Sequence, residues 1–358
     1  LIKELREIKK EYADPRRSEI QAEVEEIVID KVAMIPQEQV MFTISRDGYV
    51  KRVSMRSYGA ANDAMTGIKE GDHLIGYGEV NTLDNILFFT SKGTYGYVPV
   101  YEVDDAKWKE IGSHINSKIK ITSDEKITDA FIVKDFKTNA YMLSITRHGL
   151  VKKTAICEYE VSRNNKTMSN MKLLEDDEVV QTYVAYEEDE ILIASKKGYI
   201  TRYPISLIPA TSPRSKGVKA MNLVEDEIAS ALIYNNDNRQ LVVFSDDCAC
   251  KRMKLTDIDV TGRPTKGSML CKKVKSKPYH IAYISLHDLN DEIVIANSEI
   301  HKVVSKDIPL MAKDATFSAM LKGITDFYLL KELPKVELRE LPKQEEVEED
   351  FEALSLFE

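Results

Sequence analysis

One short phrase recurs six times along the chain, and it constrains the fold more than any other feature. It consists of an apolar run, a Ser or Thr, a tight turn and, in most copies, basic residues. Clear copies read FTISRDGYVKR at 42–52, LSITRHGLVKK at 143–153, LIASKKGYITR at 192–202 and LVVFSDDCACKR at 241–252; weaker ones read LFFTSKG at 87–93 and IVIANSE at 293–299. The turns lie about 45 to 56 residues apart. Repeats of this length built from short strands predict blades around a closed ring.

A second recurring element supports this interpretation. It consists of an apolar strand, an acidic turn and another apolar strand, and it reads MKLLEDDEV at 171–179 and MNLVEDEI at 221–228, with looser copies at 68–74 and 119–127. Short acidic side chains are typical of turns between strands. Two elements in a constant order predict an all-β fold, a ring of six antiparallel blades at about 40–85, 86–140, 141–190, 191–239, 240–291 and 292–333.

The two ends of the chain differ from the repeats. Residues 1–12 place apolar side chains at helical spacing, and Asp14-Pro15 predicts the end of that helix. We therefore assign residues 1–39 to a helix and linker, 40–334 to the ring and 335–358 to a disordered tail with nine acidic and three basic side chains. Two interpretations of the tail stay open: a solubilising end, or a competitor for cationic surfaces through Glu345, Glu346, Glu348, Glu349 and Asp350.

The net charge of −9 does not describe the ring. Residues 40–334 carry 40 basic and 40 acidic side chains, so the excess acidity lies in the two extensions. A neutral domain still binds DNA when its cations share one face, because local phosphate neutralisation drives binding. No apolar run reaches the length of a membrane span, and four irregularly spaced cysteines do not suggest a disulfide framework. These features predict a cytoplasmic protein that does not interact with membranes.

Enzyme motifs are weak. Residues 262–268 (GRPTKGS) only partly match a phosphate-binding loop, because no Lys follows the second glycine. Cys248, Cys250 and Cys271 lack the spacing of a zinc site, so we predict that they are buried as small apolar residues. The six histidines are scattered among different repeats. We therefore predict no catalytic residue, no metal site and no cofactor in this chain.

The basic positions of the phrase are the first lead on function. In a ring of blades, one repeated position projects to equivalent places, so cations there would form a belt. The predicted members, at the third and fourth positions after the turn, are Lys51, Arg52, Lys152, Lys153, Arg202, Lys251 and Arg252. The alternative is a solvated strand edge, where Lys and Arg prevent aggregation.

Loops that follow the later basic pairs are the second lead. They combine Gly, Ser or Thr with cations, and so expose the N–H, hydroxyl and charged donors that phosphate oxygens accept. The predicted DNA contacts here are Arg163, Lys166, Arg214, Lys216, Lys219, Arg263, Lys266, Lys272 and Lys273. The counterpart in the first repeat, residues 58–67, contains no cation. The later loops are therefore the better candidates for phosphate contact.

These motifs resemble the C-terminal domain of the A subunit of bacterial type IIA topoisomerases. The string DGYVKR at 47–52 is typical of that domain's first blade, and IKKEYADPRRSEI at 8–20 is similar to the end of the preceding cleavage domain and its linker. The resemblance implies a β-pinwheel, a ring whose blades share strands, that binds and bends double-stranded DNA around its outer rim. It also implies that ATP and Mg²⁺ act elsewhere in the parent enzyme.

One motif separates the two branches of this family. Gyrase A subunits carry a Gln-Arg-Arg-Gly-Gly-Lys-Gly box after the first blade, whereas residues 59–67 here read GAANDAMTG, and a degenerate SPRSKG remains at 212–217. This pattern resembles topoisomerase IV, and implies the rest of the A subunit and the B subunit as partners at the nucleoid. A gyrase domain and a protein-interaction propeller are the alternatives, although Trp108 is the single tryptophan and Trp-Asp signatures are absent.

Overall fold

A computed structural model describes residues 1–15, 34–61, 64–161, 165–235, 238–272 and 278–340. The chain divides into two compact units, residues 1–35 and 36–358. In the first unit, α1 (Ile2–Tyr12) confirms the predicted helix, and none of its side chains is buried. In the described residues, no helix is long and apolar enough to cross a membrane.

The second unit is built from strands. A short helix, α2 (Met55–Gly59), follows the first hairpin. In the described part of the chain the strands are β1 (Gln39–Ser45), β2 (Tyr49–Ser54), β3 (Leu74–Asn81), β4 (Asn85–Thr90), β5 (Thr94–Pro99), β6 (Ser113–His114), β7 (Ile127–Val133), β8 (Tyr141–Thr146), β9 (Leu150–Ala155), β10 (Met168–Ser169), β11 (Val179–Ala185), β12 (Glu190–Ser195), β13 (Tyr199–Pro204), β14 (Val218–Lys219), β15 (Ile228–Tyr234), β16 (Gln240–Ser245), β17 (Cys250–Met253), β18 (Ser268–Met269), β19 (Ile281–His287), β20 (Glu292–Ala296), β21 (Ile300–Val304), β22 (Tyr328–Leu329) and β23 (Lys335–Val336).

These strands form six small sheets, which confirms the predicted six-bladed ring. Each repeat contributes an antiparallel hairpin and a third strand that lies on the inner side of its blade, as in the order β3-β1-β2. Inner strands of successive blades contact one another, from β3 and β7 through β11 and β15 to β19. Leu74 of the first blade packs with Ala296 and Tyr328 of the sixth, which closes the ring.

Neighbouring blades also share strands at the outer rim. In the first four blades the outermost strand is a two-residue piece supplied by the next repeat: β6, β10, β14 and β18 pair with β2, β5, β9 and β13. The segment that supplies each piece starts at a 3₁₀ turn and runs along the outside of the preceding blade. We call it the outer segment of its repeat. Each of these four blades therefore depends on the following repeat to cover its outer edge.

The recurring phrase is explained by the hairpin it builds. In three copies the Ser or Thr before the turn accepts a hydrogen bond from the N–H four residues later: Ser45, Thr146 and Ser195 do so at 3.0, 3.1 and 3.1 Å. Gly48 follows with φ +95°, a backbone conformation that side chains with a Cβ rarely adopt. The hydroxyl and the glycine together specify the tight turn.

The acidic turns hold these hairpins in place. Asp72 accepts a hydrogen bond from the N–H of Asp47 at 2.9 Å. Asp177 and Asp226 do the same for His148 and Lys197, each at 3.0 Å. The two recurring sequence elements are thus the two halves of one contact, repeated in at least three blades.

The tail begins later than residue 334, where the sequence analysis placed its start. Val336 is buried, and β23 pairs in parallel with β7. Arg339 forms ion pairs with Glu188 and Asp189. Residues 335–340 are therefore part of the ring, because Val336 has an apolar site to fill and Arg339 has carboxylate partners. The remaining tail, 341–358, and most of the linker, 16–33, lie outside the described residues.

Candidate nucleic-acid interface

The third position of the phrase points into the blade. Lys51 and Lys251 have no exposed surface. The Lys51 Nζ donates to the carbonyl oxygens of Trp108 (2.7 Å), Gly67 and Glu110. The Lys251 Nζ donates at 2.6–3.2 Å to three carbonyl oxygens in the outer segment of the sixth repeat, those of Ala312, Lys313 and Ala315. Burial lowers the pKa of both ammonium groups to about 8. Each lysine fastens an outer segment onto its blade.

Lys152 and Thr201 occupy the same position in the third and fourth repeats, and both are buried. The Thr201 hydroxyl is within hydrogen-bond distance of Thr261 and Thr265, which belong to the outer segment that covers its blade. Within the described residues, Lys152 has a single hydrogen-bond partner, the Thr154 hydroxyl. A neutral Thr in place of Lys shows that this position requires a buried donor and not a surface charge.

The fourth position joins one blade to the next. Arg52 donates to the carbonyl oxygen of Tyr101, Lys153 to that of Ile205 and Arg252 to that of Ile308, and Arg202 donates to two such oxygens. All these carbonyls belong to the 3₁₀ turn of the following repeat or to the residue after it. In the second repeat, the Tyr97 hydroxyl donates in the same way to the Val161 carbonyl at 2.6 Å.

The belt predicted from the basic pairs is therefore wrong. Three of the four cations at the fourth position are also neutralised by a side-chain carboxylate: Arg52 by Asp105, Lys153 by Glu187 and Arg202 by Glu190, at 2.7, 2.9 and 2.7 Å. Desolvated, hydrogen-bonded cations are not available to phosphate. The residues that no longer count as predicted DNA contacts are Lys51, Arg52, Lys152, Lys153, Arg202, Lys251 and Arg252. The neutral replacements Thr201 and Tyr97 were the signal that could have identified a structural position.

The outer segments, by contrast, present cations to solvent. Within the described residues, these side chains are exposed and form no ion pair: Lys166, Arg214, Lys216, Lys219, Lys266 and Lys272. The Lys266 ammonium lies 4.5 Å from the centre of the Tyr199 ring, which holds it against the blade. Arg263 is half-buried and donates to the carbonyl oxygens of Leu207 and Lys219 at 3.2 and 2.7 Å. The two other predicted contacts, Arg163 and Lys273, lie outside the described residues.

Three of these segments are joined into one continuous surface. The N–H of Arg214 donates to Asn170 at 3.0 Å, and the N–H of Lys172 donates to Ser215 at 3.1 Å. These bonds connect the third and fourth repeats. The Arg263 guanidinium and the Asn222 amide connect the fourth repeat to the fifth. We call this surface the basic rim. Its exposed cations are Lys166, Arg214, Lys216, Lys219, Lys266 and Lys272.

Charge along the basic rim is concentrated in the fourth repeat. Residues 205–219 carry Arg214, Lys216 and Lys219 and no acidic side chain. The corresponding segments 156–169 and 255–269 each hold two cations and two acids. In the first repeat, α2 and Tyr58 pack beside Trp108, whose indole N–H donates to the Ala64 carbonyl at 2.6 Å. The place of a first-blade box is thus filled by packing and not by cations.

The described residues contain little else that suggests chemistry. They include no group of three or more metal-binding side chains. Cys248, Cys250 and Cys271 are buried, and burial raises the pKa of the first two thiols to about 12 and 11. Gly267, in the segment that partly matched a phosphate loop, packs against the Ile200 carbonyl so closely that a Cβ would come within 2.2 Å of it. Gly267 therefore allows the outer segment to pack closely against β13.

A pH-dependent contribution to stability is expected from Lys152. Burial lowers the pKa of its ammonium group to about 8, against about 10.4 in an unfolded chain. The unfolded chain therefore binds this proton more tightly, and between about pH 8 and 10 the free energy of unfolding rises with pH, by about 1 kcal/mol per unit from this group. Urea unfolding near pH 8 and pH 9.5 measures the slope. In the Lys152→Met variant, the free energy of unfolding should rise with pH less steeply, because this group no longer contributes. Equal slopes in both proteins would contradict a lowered pKa of Lys152.

Comparison with known proteins places this geometry in a family. The sequence profile of the family described as DNA gyrase C-terminal domain, beta-propeller, matches residues 39–76, 84–134, 140–185, 189–235 and 240–286. These five stretches make up well over half of the chain and correspond to the first five blades.

Two relatives are DNA topoisomerase 4 subunits A. The protein from Bacillus subtilis is 36% identical over 279 residues, which cover 77% of this chain and 34% of the relative. The protein from Staphylococcus epidermidis is 34% identical over 300 residues, covering 84% of this chain and 37% of the relative. The chain thus spans about a third of the length of these curated relatives.

Two solved structures share the fold of this chain. The crystal structure of the C-terminal domain of DNA topoisomerase IV superposes with a TM-score of 0.73 at 32% identity, and covers 83% of this chain and 94% of that chain. The DNA gyrase A C-terminal domain gives a TM-score of 0.65 at 20% identity, covering 83% of this chain and all of that one, which shows a shared fold.

Proposed function

Because this chain belongs to the DNA gyrase A C-terminal domain family and is similar to topoisomerase IV A subunits over most of its length, we propose that its ring binds double-stranded DNA along the basic rim. The observation that carries this proposal is the outer segment of the fourth repeat. It holds three exposed cations, has no acidic side chain and is hydrogen-bonded to its neighbours on both sides.

Recognition on this surface acts through the DNA backbone. The candidate groups are Lys and Arg side chains on loops and strand ends, next to hydroxyls such as those of Ser212 and Ser215. Such groups neutralise phosphates and do not read the base sequence, since the candidate cations of the described residues lie on loops and two-residue strands and not on a helix that could enter a groove. Binding is therefore largely independent of DNA sequence.

The arrangement of the basic rim favours bent DNA. Its cations lie on three successive blades of a ring, so a duplex that follows the ring meets more of them than a straight duplex does. Bending a short duplex costs about 1–6 kcal/mol. Several additional phosphate contacts offset that cost through counterion release. The outer segments of the third to fifth repeats would then lie along one curved path.

We assign this activity to the A subunit of a topoisomerase IV. In that enzyme the ring would present a DNA segment to the cleavage gate for ATP-dependent decatenation and relaxation. The rest of the A subunit and the B subunit would supply the nucleophile, the ATP site and Mg²⁺. The absence of cations at residues 58–67 favours this branch over gyrase. Decatenation without supercoiling by the complete enzyme would support the assignment; negative supercoiling would overturn it in favour of gyrase.

A salt titration tests the proposal directly. In fluorescence anisotropy titrations of a labelled duplex, the logarithm of the association constant should fall linearly with log[salt]. The expected slope is about −5, because each of the six cations releases about 0.9 counterion. The slope should not depend on base composition. Affinity that does not fall steeply between low and physiological salt would refute DNA binding by the basic rim.

A further inference from the structure

The last described part of the chain crosses half of the ring. After β22 in the sixth blade, residues 330–340 run past the inner strands of the first and second blades and end on the third. We call residues 328–340 the strap. It begins with the N–H of Leu330 donating to the Val294 carbonyl at 2.9 Å, and it ends with Arg339 paired to Asn139 through two hydrogen bonds of 2.8 and 3.0 Å.

The middle of the strap is inserted between two inner strands. The N–H of Leu333 donates to the Tyr77 carbonyl of β3 at 2.7 Å, and the N–H of Ile132 in β7 donates to the Pro334 carbonyl at 2.9 Å. Leu333 is buried against Gly76, where a Cβ would come within 2.6 Å of the leucine side chain. The strap therefore bonds to the main chain of both blades and fills a notch shaped for it.

Two buried carboxylates of the ring take their counter-ions from the strap. Asp129 and Asp189 have side chains that are 3% and 0% exposed. The Lys331 ammonium is 2.7 Å from Asp129, and the Arg339 guanidinium contacts Asp189 and lies 3.7 Å above the Tyr186 ring. Burial raises the pKa of both carboxyl groups. Without the strap, these acids would lose the cations that compensate their burial.

The joints between later blades are made differently. The Gln181 side chain of the third blade accepts from the N–H of Ala231 in the fourth at 2.8 Å. The Ser230 hydroxyl of the fourth blade accepts from the N–H of Ile284 in the fifth at 3.2 Å. These joints are formed by the blades themselves. Between the inner strands β3 and β7 of the first two blades, the main-chain bonds of the described residues run through the strap. The hairpin of the first blade is bonded to the second blade directly, for example by the N–H of Ile127, which donates to the Arg46 carbonyl at 2.9 Å.

We propose that the first three blades form a binding groove for an extended peptide, and that the chain's own strap occupies it as a releasable clasp that secures the joint between the first two blades. The ligand is defined by the groove: a cation for Asp129, a Leu-Pro pair for the notch at Gly76, an apolar side chain for the pocket that holds Val336, and an Arg for Asp189 and Tyr186. This inference does not depend on DNA binding.

Capture of the peptide by the full chain tests the groove. We compare the wild-type chain with the Lys331→Met/Arg339→Ala variant, whose own strap lacks both cations. A labelled synthetic peptide of residues 328–340 should bind the variant at least 10-fold more tightly than it binds the wild type, whose groove is filled. A peptide with the same two substitutions is the matched control and should not bind. Equal, weak binding of the native peptide to both proteins would overturn the proposal.

Hydrogen exchange distinguishes a clasp from an integral part of the core. In the variant, the amides of Tyr77 and Ile132 should exchange at least 10-fold faster, whereas the amides between β1 and β2 should be unchanged. An equal rise throughout the ring, or loss of the folded state, would mean that the strap cannot be released on its own. Unchanged exchange at Tyr77 and Ile132 would mean that the cations do not hold it. Either result refutes the clasp.

Discussion

Replacing Arg214, Lys216 and Lys219 together by glutamate is expected to lower the affinity of the ring for duplex DNA by about three orders of magnitude at 0.1 M salt. Each phosphate contact releases about 0.9 counterion, which is worth about 8-fold at this salt concentration. Reversed charges add repulsion to the loss of three contacts. The salt slope should also become shallower by about 3. Anisotropy titrations at several salt concentrations measure both quantities.

The matched control is the Lys9→Glu/Lys10→Glu variant. Both lysines are exposed on α1, which belongs to the other compact unit of the chain. Reversing them changes net charge by four units but removes no cation from the basic rim, so the salt slope should stay the same. If this variant loses as much affinity and slope as the rim variant, binding is governed by overall charge and the placement of the site on the fourth repeat is wrong.

The second large effect concerns stability. Replacing Lys251 by Met should lower the free energy of unfolding by about 3–5 kcal/mol, because three carbonyl oxygens of the outer segment lose the buried ammonium group that binds them together. The methionine side chain fills most of the space, so the loss reports hydrogen bonding more than cavity formation. Urea unfolding near neutral pH measures the effect. The folded variant should bind DNA as the wild type does, since Lys251 has no exposed surface.

Lys152→Met provides the comparison. Lys152 is similarly buried and occupies the same position of the phrase, but among the described residues it has one hydrogen-bond partner, the Thr154 hydroxyl. Removing a poorly solvated ammonium is nearly neutral when few acceptors are left behind, so the change in stability should stay within about 1 kcal/mol of zero. Equal losses for both variants would show that the carbonyl cage around Lys251 is not what stabilises the outer segment. A large loss of DNA affinity in either folded variant would restore the basic pairs as contacts.

Self-similarity made the ring predictable. A hairpin of this kind needs only local signals: an alternating apolar strand, a hydroxyl before the turn and a glycine with positive φ at the turn. These signals lie within about a dozen residues, and each copy reinforces the others. The acidic turns were recognised as turns, but not as the partners of the hairpins, because the bond from Asp72 to Asp47 joins residues 25 positions apart.

The exposure of the candidate cations was only half predictable. Arg214 and Lys216 lie at the surface, as expected for short Gly- and Ser-containing loops, which lie at surfaces in most folds. The basic pairs were misread because a Lys in a strand is normally exposed. Local sequence does not indicate how completely the outer segment of the next repeat covers Lys51 or Lys251. That cover is supplied from about 60 residues away.

The end of the ring was misplaced for a related reason. Residues 335–340 are rich in charge, and composition alone assigns such a segment to a disordered tail. Arg339 and Lys331 are ordered because Asp189 and Asp129 are buried on distant blades and need counter-ions. No local sequence pattern indicates an ion-pair partner 150 or 202 residues away.

Repetition along the chain is therefore enough to specify six blades, their hairpins and the position of the loops between them, because those features depend on interactions within one repeat. Which cations remain exposed to solvent was decided by the tertiary structure. The exchange of outer segments between blades buries one set of lysines and arginines in carbonyl cages and leaves another set in water. The same exchange, with the strap crossing the inner strands, turns a series of equivalent repeats into a ring with one basic rim and one secured joint.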